Sequence, residues 1–185
     1  MPELPKFELS HIGLFVTDMD RMRDFYTRLL GFKVMDAGEL KNGLRLTFLS
    51  KDPKDHHQIV LVTGREKGTR STVNQITFRV ASIKEVRAMH DLVVANQVDG
   101  VDPVDHGNAW SVYFMDPEGN RIEFFCDTPW YTAQPHRVAL DFSLSDKEIE
   151  EATHNRIAGD PSTVPFAQWR DQKRRELEKG SGVFS

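Results

Sequence analysis

The sequence has only one cysteine, Cys126, among its 185 residues. A single thiol excludes an internal disulfide framework and a metal site built from several cysteines, and it suits a reducing compartment. Cys126 follows the apolar residues Phe124 and Phe125. We therefore expect a small buried side chain at this position rather than a nucleophile.

Long apolar runs are also missing. No stretch approaches the roughly 18 continuous apolar residues that a membrane span requires, and the opening MPELPKFELS lacks a basic segment followed by an apolar run. The formal charge is −4, and both signs are mixed along the chain, which argues against a broad nucleic-acid surface. We expect a soluble, cytoplasmic protein with neither a membrane nor a nucleic acid as its partner.

What the sequence does contain is an internal repeat. Residues 11–34 can be laid over residues 75–98 without a gap, so that their apolar positions coincide. The first part of each copy alternates apolar and polar residues, as in a strand with one buried face. In the second part, apolar residues recur at the spacing of an amphipathic helix. Each copy therefore predicts a strand followed by a helix.

Further strand-like runs follow each predicted helix. They are LRLTFLS and QIVLVTG in the first copy, and AWSVYFMD and RIEFFCD, joined by the turn DPEGN, in the second. This order predicts an α+β fold with two βαβββ modules, at about residues 7–64 and 73–127 of a domain covering residues 7–128. One module cannot cover its own sheet, so we expect the two to form a curved, cupped mixed sheet with a pocket on its inner face.

Residues 129–185 do not continue the repeat. This segment contains one helix start at Ser145 and a second at Phe166. It is too short for an independent domain and too rich in aromatic residues for a free tail. We expect a C-terminal helical extension that packs on the body of the protein or on a partner subunit.

Three polar side chains are candidates for the inner face. Alternation turns His11 and Gln75 away from the helix side of the two opening strands, and it turns Glu123 the same way on the last strand. We expect these three to converge on one cavity, while the fourth equivalent position holds Val60, which cannot bind a metal. A simpler interpretation of Glu123 is an ion pair with Arg79.

The opening motif HIGLFVTDMDRMRDFYTRLLGFKV and the closing motif YFMDPEGNRIEFF resemble the vicinal oxygen chelate superfamily. Its members include glyoxalases, type I extradiol ring-cleavage dioxygenases, methylmalonyl-CoA epimerases and fosfomycin or bleomycin resistance proteins. The resemblance implies a divalent metal ion held by His11, Gln75 and Glu123, with open positions for two vicinal oxygens of a substrate. Fe(II) is the expected ion, and the same donors also suit Mn(II), Ni(II) or Zn(II).

Within the superfamily, the sequence is most similar to single-domain extradiol dioxygenases. HHQIVL resembles their paired-histidine strand, and HGNAWSVYF resembles the stretch that supplies a histidine and a tyrosine to the substrate. The resemblance implies His57 as the acid/base catalyst, and His106 and Tyr113 as groups that hydrogen-bond the substrate. Strict alternation from Val60 would favour His56 over His57 unless a bulge begins the strand.

Three functions stay open on the sequence alone. The leading hypothesis is a metal-dependent dioxygenase that cleaves a catecholic ring with O2, and the family also implies a homodimer. The alternatives are glyoxalase- or epimerase-like proton transfer with Glu123 as base, and metal-free binding of a planar hydrophobic ligand. Gln75 keeps the alternatives open, because extradiol enzymes present two histidines and one carboxylate, and an amide oxygen is a weaker metal donor than imidazole.

Overall fold

The computed structural model describes residues 7–180 and divides the chain into two compact units. The first unit contains the described residues up to Thr72 together with the turn Asp116–Asn120. The second contains Val73–Met115 and the described residues from Arg121 onward. Within residues 7–180, no helix is both long enough and apolar enough to cross a membrane.

The first unit contains a four-stranded sheet and one helix. Its elements are β1 (Ile12–Val16), α1 (Met19–Asp24), β2 (Lys33–Glu39), β3 (Arg45–Ser50) and β4 (Ile59–Thr63). The helix begins at the N-cap Asp18, whose side chain accepts a hydrogen bond from the Arg21 amide, and it continues as a π-helical turn. The strand order is β1-β4-β3-β2, with β1 parallel to β4 and the other pairs antiparallel.

The second unit repeats this arrangement. Its repeating elements are β5 (Ile76–Arg79), α2 (Ile83–Ala95), β6 (Asp102–Asp105), β7 (Ala109–Met115) and β8 (Arg121–Asp127). The strand order is β10-β6-β7-β8-β5, in which β10 (Val138–Ala139) comes from the C-terminal extension. The first and last strands of the module, β5 and β8, are again parallel neighbours.

The register confirms the repeat that the sequence predicts. Gly13 lies opposite Val60 in the first unit, and Thr77 lies opposite Glu123 at the equivalent place in the second. The α+β class with two mixed βαβββ sheets is therefore confirmed. The curved cup concerns the two modules together and stays a prediction.

Alternation decides which side chains form the core of the second sheet. Val112, Phe114 and Ile122 are fully buried, and full burial of such side chains contributes about 1.5–3 kcal/mol each. Cys126 lies on the same side of β8 and is buried, as the sequence predicts. Its burial raises the pKa of the thiol to about 12, which leaves the group protonated and inert near neutral pH.

The C-terminal extension is part of the second unit and packs on its sheet. Its elements are β9 (Trp130–Tyr131), β10, α3 (Asp146–Ile157), β11 (Val164–Pro165) and α4 (Phe166–Gly180). Both predicted helix starts are confirmed, and α3 begins with a capping box between Ser145 and Glu148. The indole nitrogen of Trp110 donates to Thr153 Oγ1 at 2.8 Å, which joins α3 to β7.

The turn Asp116–Asn120 is bound by polar groups of the first unit. Glu118 Oε1 accepts the backbone amides of Thr17 and Asp18 at 2.7 Å each, and Oε2 lies 3.3 Å from the guanidinium of Arg65. The hydroxyl of Tyr26 donates to Asp116 at 3.3 Å, and burial raises the pKa of that carboxyl. The turn DPEGN therefore has a structural role in the first unit.

Candidate metal and substrate site

The first unit contributes a cluster of imidazoles. His11 directly precedes β1, and His57 lies shortly before β4. Because these two strands are parallel neighbours, both histidines lie at the end of the sheet where the strands begin. Their ring centroids are 4.2 Å apart. Phe48 on β3 packs edge-on against His57 with centroids 5.0 Å apart. The structure thus joins one predicted metal ligand to the predicted acid/base histidine.

His56 also belongs to this cluster. The Nδ1 atoms of His56 and His57 are 3.0 Å apart, so one of the two must accept a hydrogen bond and be unprotonated. Burial, followed by the charges of His11 and His56, lowers the pKa of His57 from its ordinary value of 6.5. The neutral form of His57, the form that can act as a base, is therefore favoured.

The second unit contributes a buried carboxylate. Glu123 on β8 is 7% exposed, and its Oε2 accepts hydrogen bonds from Gln75 Nε2 at 2.8 Å and Thr77 Oγ1 at 2.9 Å. Its Oε1 accepts a hydrogen bond from Ser111 Oγ at 2.8 Å. Arg79 pairs with Asp127 on the same sheet. The interpretation of Glu123 as the ion-pair partner of Arg79 is therefore wrong.

A histidine and a tyrosine lie next to this carboxylate. Tyr113 on β7 is the register partner of Glu123, and its hydroxyl is 2.9 Å from Nε2 of His106. The guanidinium carbon of Arg121 lies 3.9 Å from the centroid of the Tyr113 ring. Burial, followed by the nearby carboxylate of Glu123, raises the pKa of Tyr113 well above its usual range. The phenol is neutral near pH 7 and keeps its proton for a hydrogen bond.

The structure thus brings the predicted site residues together in two groups. His11 and His57 meet in the first unit, and Gln75, Glu123 and Tyr113 meet, together with His106, in the second. Each group is joined by direct contacts within its own unit. That His11 joins Gln75 and Glu123 on one metal ion stays a prediction.

The donors around Glu123 decide how a metal ion would fit. Within residues 7–180, no three histidine, cysteine, aspartate or glutamate side chains form a ready cation site, and the amide of Gln75 is a further polar group beside Glu123. The Gln75 amide now turns its nitrogen towards Glu123. A half-turn of that amide would free a lone pair on Oε2 and present the amide oxygen in place of the nitrogen. A carboxylate and an amide oxygen suit a divalent ion, so the residues fit once Gln75 turns.

Two hydroxyl groups at the site were not among the predicted residues. Thr77 and Ser111 both donate to Glu123, and Ser111 lies two residues before Tyr113 on the same strand. Alternation from Tyr113 would have turned Ser111 to the same face, so the signal was present in the sequence. Gln134 and His136, which contact His106, lie in the non-repeating extension, where no such signal exists.

Comparison with known proteins gives one family and several relatives. The family described as the Glyoxalase/Bleomycin resistance protein/Dioxygenase superfamily matches residues 8–124. Biphenyl-2,3-diol 1,2-dioxygenase 2 of Rhodococcus globerulus is 25% identical over 172 residues, which are 90% of this chain and 79% of that enzyme. Metapyrocatechase 2 of Cupriavidus necator is 27% identical over 77% of this chain, which spans only 43% of that enzyme.

Solved structures show the same fold. The crystal structure of a glyoxylase/bleomycin resistance protein/dioxygenase domain from Frankia sp. EAN1pec matches 66% of this chain and 99% of its own, with a TM-score of 0.57. Its sequence is 20% identical to this one, so the likeness concerns the fold alone.

Proposed function

Because the chain belongs to the glyoxalase/bleomycin resistance protein/dioxygenase superfamily, we propose that it is a metal-dependent ring-cleavage dioxygenase of the extradiol type. Its substrates would be a catecholic compound, or another with two vicinal oxygens, and O2. The observation that carries the proposal is the grouping of Tyr113 with His106 and Glu123. Two relatives that carry dioxygenase or metapyrocatechase names support it.

The proposed metal ligands are His11, Gln75 and Glu123, and the proposed ion is Fe(II). When bound, Fe(II) would supply a chelation point for two substrate oxygens and a route for electrons from the substrate to O2. Ser111 and Thr77 would hold the Glu123 carboxylate in place for this role through their hydroxyl hydrogen bonds.

The protein's own residues would handle the protons. His57, with its lowered pKa, would accept a proton from a catechol hydroxyl and later return it. Tyr113, whose raised pKa keeps it neutral, and His106 would hydrogen-bond the substrate oxygens. Arg121, stacked on the Tyr113 ring, would shield this hydrogen-bonded pair from water.

Gln75 supports two alternatives to ring cleavage, because it replaces the second imidazole expected of an extradiol enzyme. In the first alternative, Glu123 would be the base of a glyoxalase- or epimerase-like proton transfer that needs no O2. In the second, the protein would bind a planar hydrophobic ligand without a metal. The second alternative leaves the contact of His106 with Tyr113 without a role.

One assay separates these functions. Protein purified without chelator is reconstituted with Fe(II) under anaerobic conditions, and then mixed with O2 and a panel of catechols. We expect a yellow ring-fission product, and a loss of about 10²–10⁴-fold in its rate of formation in His57→Gln. His90→Gln, a change of the same kind on α2, should leave the rate unaltered.

The other outcomes of this assay favour the alternatives. Substrate consumption that is equal with and without O2 would favour proton transfer. Metal that stays below stoichiometry and cannot be restored would favour the binding protein. The homodimer is part of the same proposal, and light scattering on the purified protein tests it.

A further inference from the structure

Two residues of the loop between β9 and β10 contact His106. Gln134 Nε2 donates to the backbone oxygen of His106 at 2.9 Å, and Gln134 Oε1 accepts the amide of His136 at 3.0 Å. The carbonyl oxygen of His136 lies 2.6 Å from Nδ1 of the His106 ring. The Gln134 side chain therefore binds the backbone of both His106 and His136. The contact between these two histidines orients the His106 ring.

Hydrogen-bond chemistry fixes which ring nitrogen of His106 carries the proton. A carbonyl oxygen can only accept, so Nδ1 of His106 must carry a hydrogen. In a neutral imidazole the other nitrogen, Nε2, then presents a lone pair, and the Tyr113 hydroxyl at 2.9 Å must donate to it. The contact with His136 thus determines the direction of the hydrogen bond to Tyr113.

The residues on either side of His106 are also held by the extension. Asp105 is buried and accepts hydrogen bonds from Thr153 Oγ1 at 2.5 Å and from the Arg156 guanidinium, both on α3. Gly107 has φ +76°, and a Cβ atom there would come within 2.6 Å of the Thr132 side chain. The extension therefore holds residues 105–107 by charge, by hydrogen bonds and by close packing.

We propose that the C-terminal extension is a functional part of the site, in which Gln134 and the His136 carbonyl hold His106 as its Nδ1–H tautomer, with Nε2 facing Tyr113. Gln134 is a positioning residue in this scheme, since it acts through His106. The catalytic meaning of the tautomer rests on the proposed dioxygenase function. The tautomer itself is a property of the free protein.

The test is nitrogen NMR of the full-length protein with labelled histidine, free of metal and substrate, at a pH where the spectra show His106 to be neutral. The His106 signals are assigned by their loss in His106→Asn. We expect a protonated Nδ1 and an unprotonated Nε2 in the unaltered protein. Tyr113→Phe should keep this tautomer, because the His136 carbonyl and not the tyrosine determines it.

Gln134→Leu removes the side chain that orients the carbonyl, so both tautomers of His106 should appear. Gln172→Leu, the same change on α4 of the extension, should leave the spectra unaltered. An Nε2–H tautomer in the unaltered protein, a changed tautomer in Tyr113→Phe, or a single unchanged tautomer in folded Gln134→Leu would each overturn the proposal. If Gln134→Leu does not fold, the first two measurements still decide.

The ring-fission assay distinguishes a failure of the dioxygenase proposal from a failure of the proposal on the His106 tautomer. In an active enzyme, Gln134→Leu should lower kcat more than it raises KM, because the tautomer affects the hydrogen bonds of the reacting complex more than ligand entry. An inactive protein that shows the expected tautomers would contradict the dioxygenase proposal. It would still support the proposal that the extension determines the tautomer of His106.

Discussion

The amide nitrogen of Gln75, which directly precedes β5, lies 2.8 Å from Oε2 of Glu123 on the parallel neighbouring strand β8. The second hydrogen of the same amide points to Thr77 Oγ1 at 3.0 Å, and Thr77 in turn donates to Glu123. In this state residue 75 is a hydrogen-bond donor to the carboxylate, and a metal ion would require it to become an acceptor.

Gln75→His should increase the affinity for Fe(II) by about tenfold or more, since imidazole is a better donor than an amide and the change removes a competitor for Oε2. Metal retained during dialysis against a graded chelator measures this. Gln168→His on α4 adds the same ring away from the site and should change nothing. Equal affinities in the two variants would show that residue 75 does not contact the ion.

Ser111→Ala should weaken metal binding by about 10–100-fold, because Ser111 Oγ orients the proposed ligand Glu123 at 2.8 Å. The serine is fully buried, so the metal-free protein should also lose about 1–3 kcal/mol of stability from the missing donor. Metal titration and urea unfolding measure the two effects. Ser143→Ala, in the loop before α3, is the control. Unchanged metal affinity in Ser111→Ala would show that Ser111 does not support a metal ligand.

The pKa of His57 should lie below 6.5, because burial and the neighbouring His11 and His56 oppose its protonation. A depressed pKa means that the unfolded chain binds the proton more tightly. The stability that this group contributes is therefore complete above pH 6.5 and is lost as the pH falls through the folded-state pKa. An NMR titration measures the pKa, and His11→Asn should raise it. A value at or above 6.5 would contradict the charge argument.

Thr153→Val should destabilise the protein by about 1–3 kcal/mol. The change keeps the shape of the side chain but leaves the buried indole N–H of Trp110 without its acceptor and removes a donor to Asp105. Urea unfolding at constant m-value measures the loss. Thr153→Ser keeps the hydroxyl and should recover most of it. A fully stable valine variant would show that α3 is held to β7 by packing alone.

The sequence could predict the parts of the site that depend on strand alternation. Glu123 and Tyr113 share one face because each sits on a strand whose buried residues are evident from hydrophobicity alone, and Gln75, which directly precedes β5, follows the same alternation. Alternation cannot choose between His56 and His57, because β4 begins at Ile59 and both histidines precede the strand. The match to the family motif, which does not use that period, selected His57, whose ring centroid lies 4.2 Å from that of His11.

The contacts of His106 could not be predicted in the same way. The group that orients its ring is the backbone carbonyl of His136, and a carbonyl is present at every residue. Only the three-dimensional course of the extension determines which one reaches Nδ1. Side-chain patterns carry no information on such a contact, whereas the helix caps at Asp18 and Ser145 are local and readable.

Glu118 binds the backbone at the start of α1, although it lies in the chain after the seventh strand. A polypeptide cut after Thr72 would leave the amides of Thr17 and Asp18 and the guanidinium of Arg65 without their carboxylate partner. The amino-terminal repeat thus depends on a turn from the second half of the sequence for these interactions. Produced alone, the amino-terminal repeat should therefore be less stable than the same residues within the full chain.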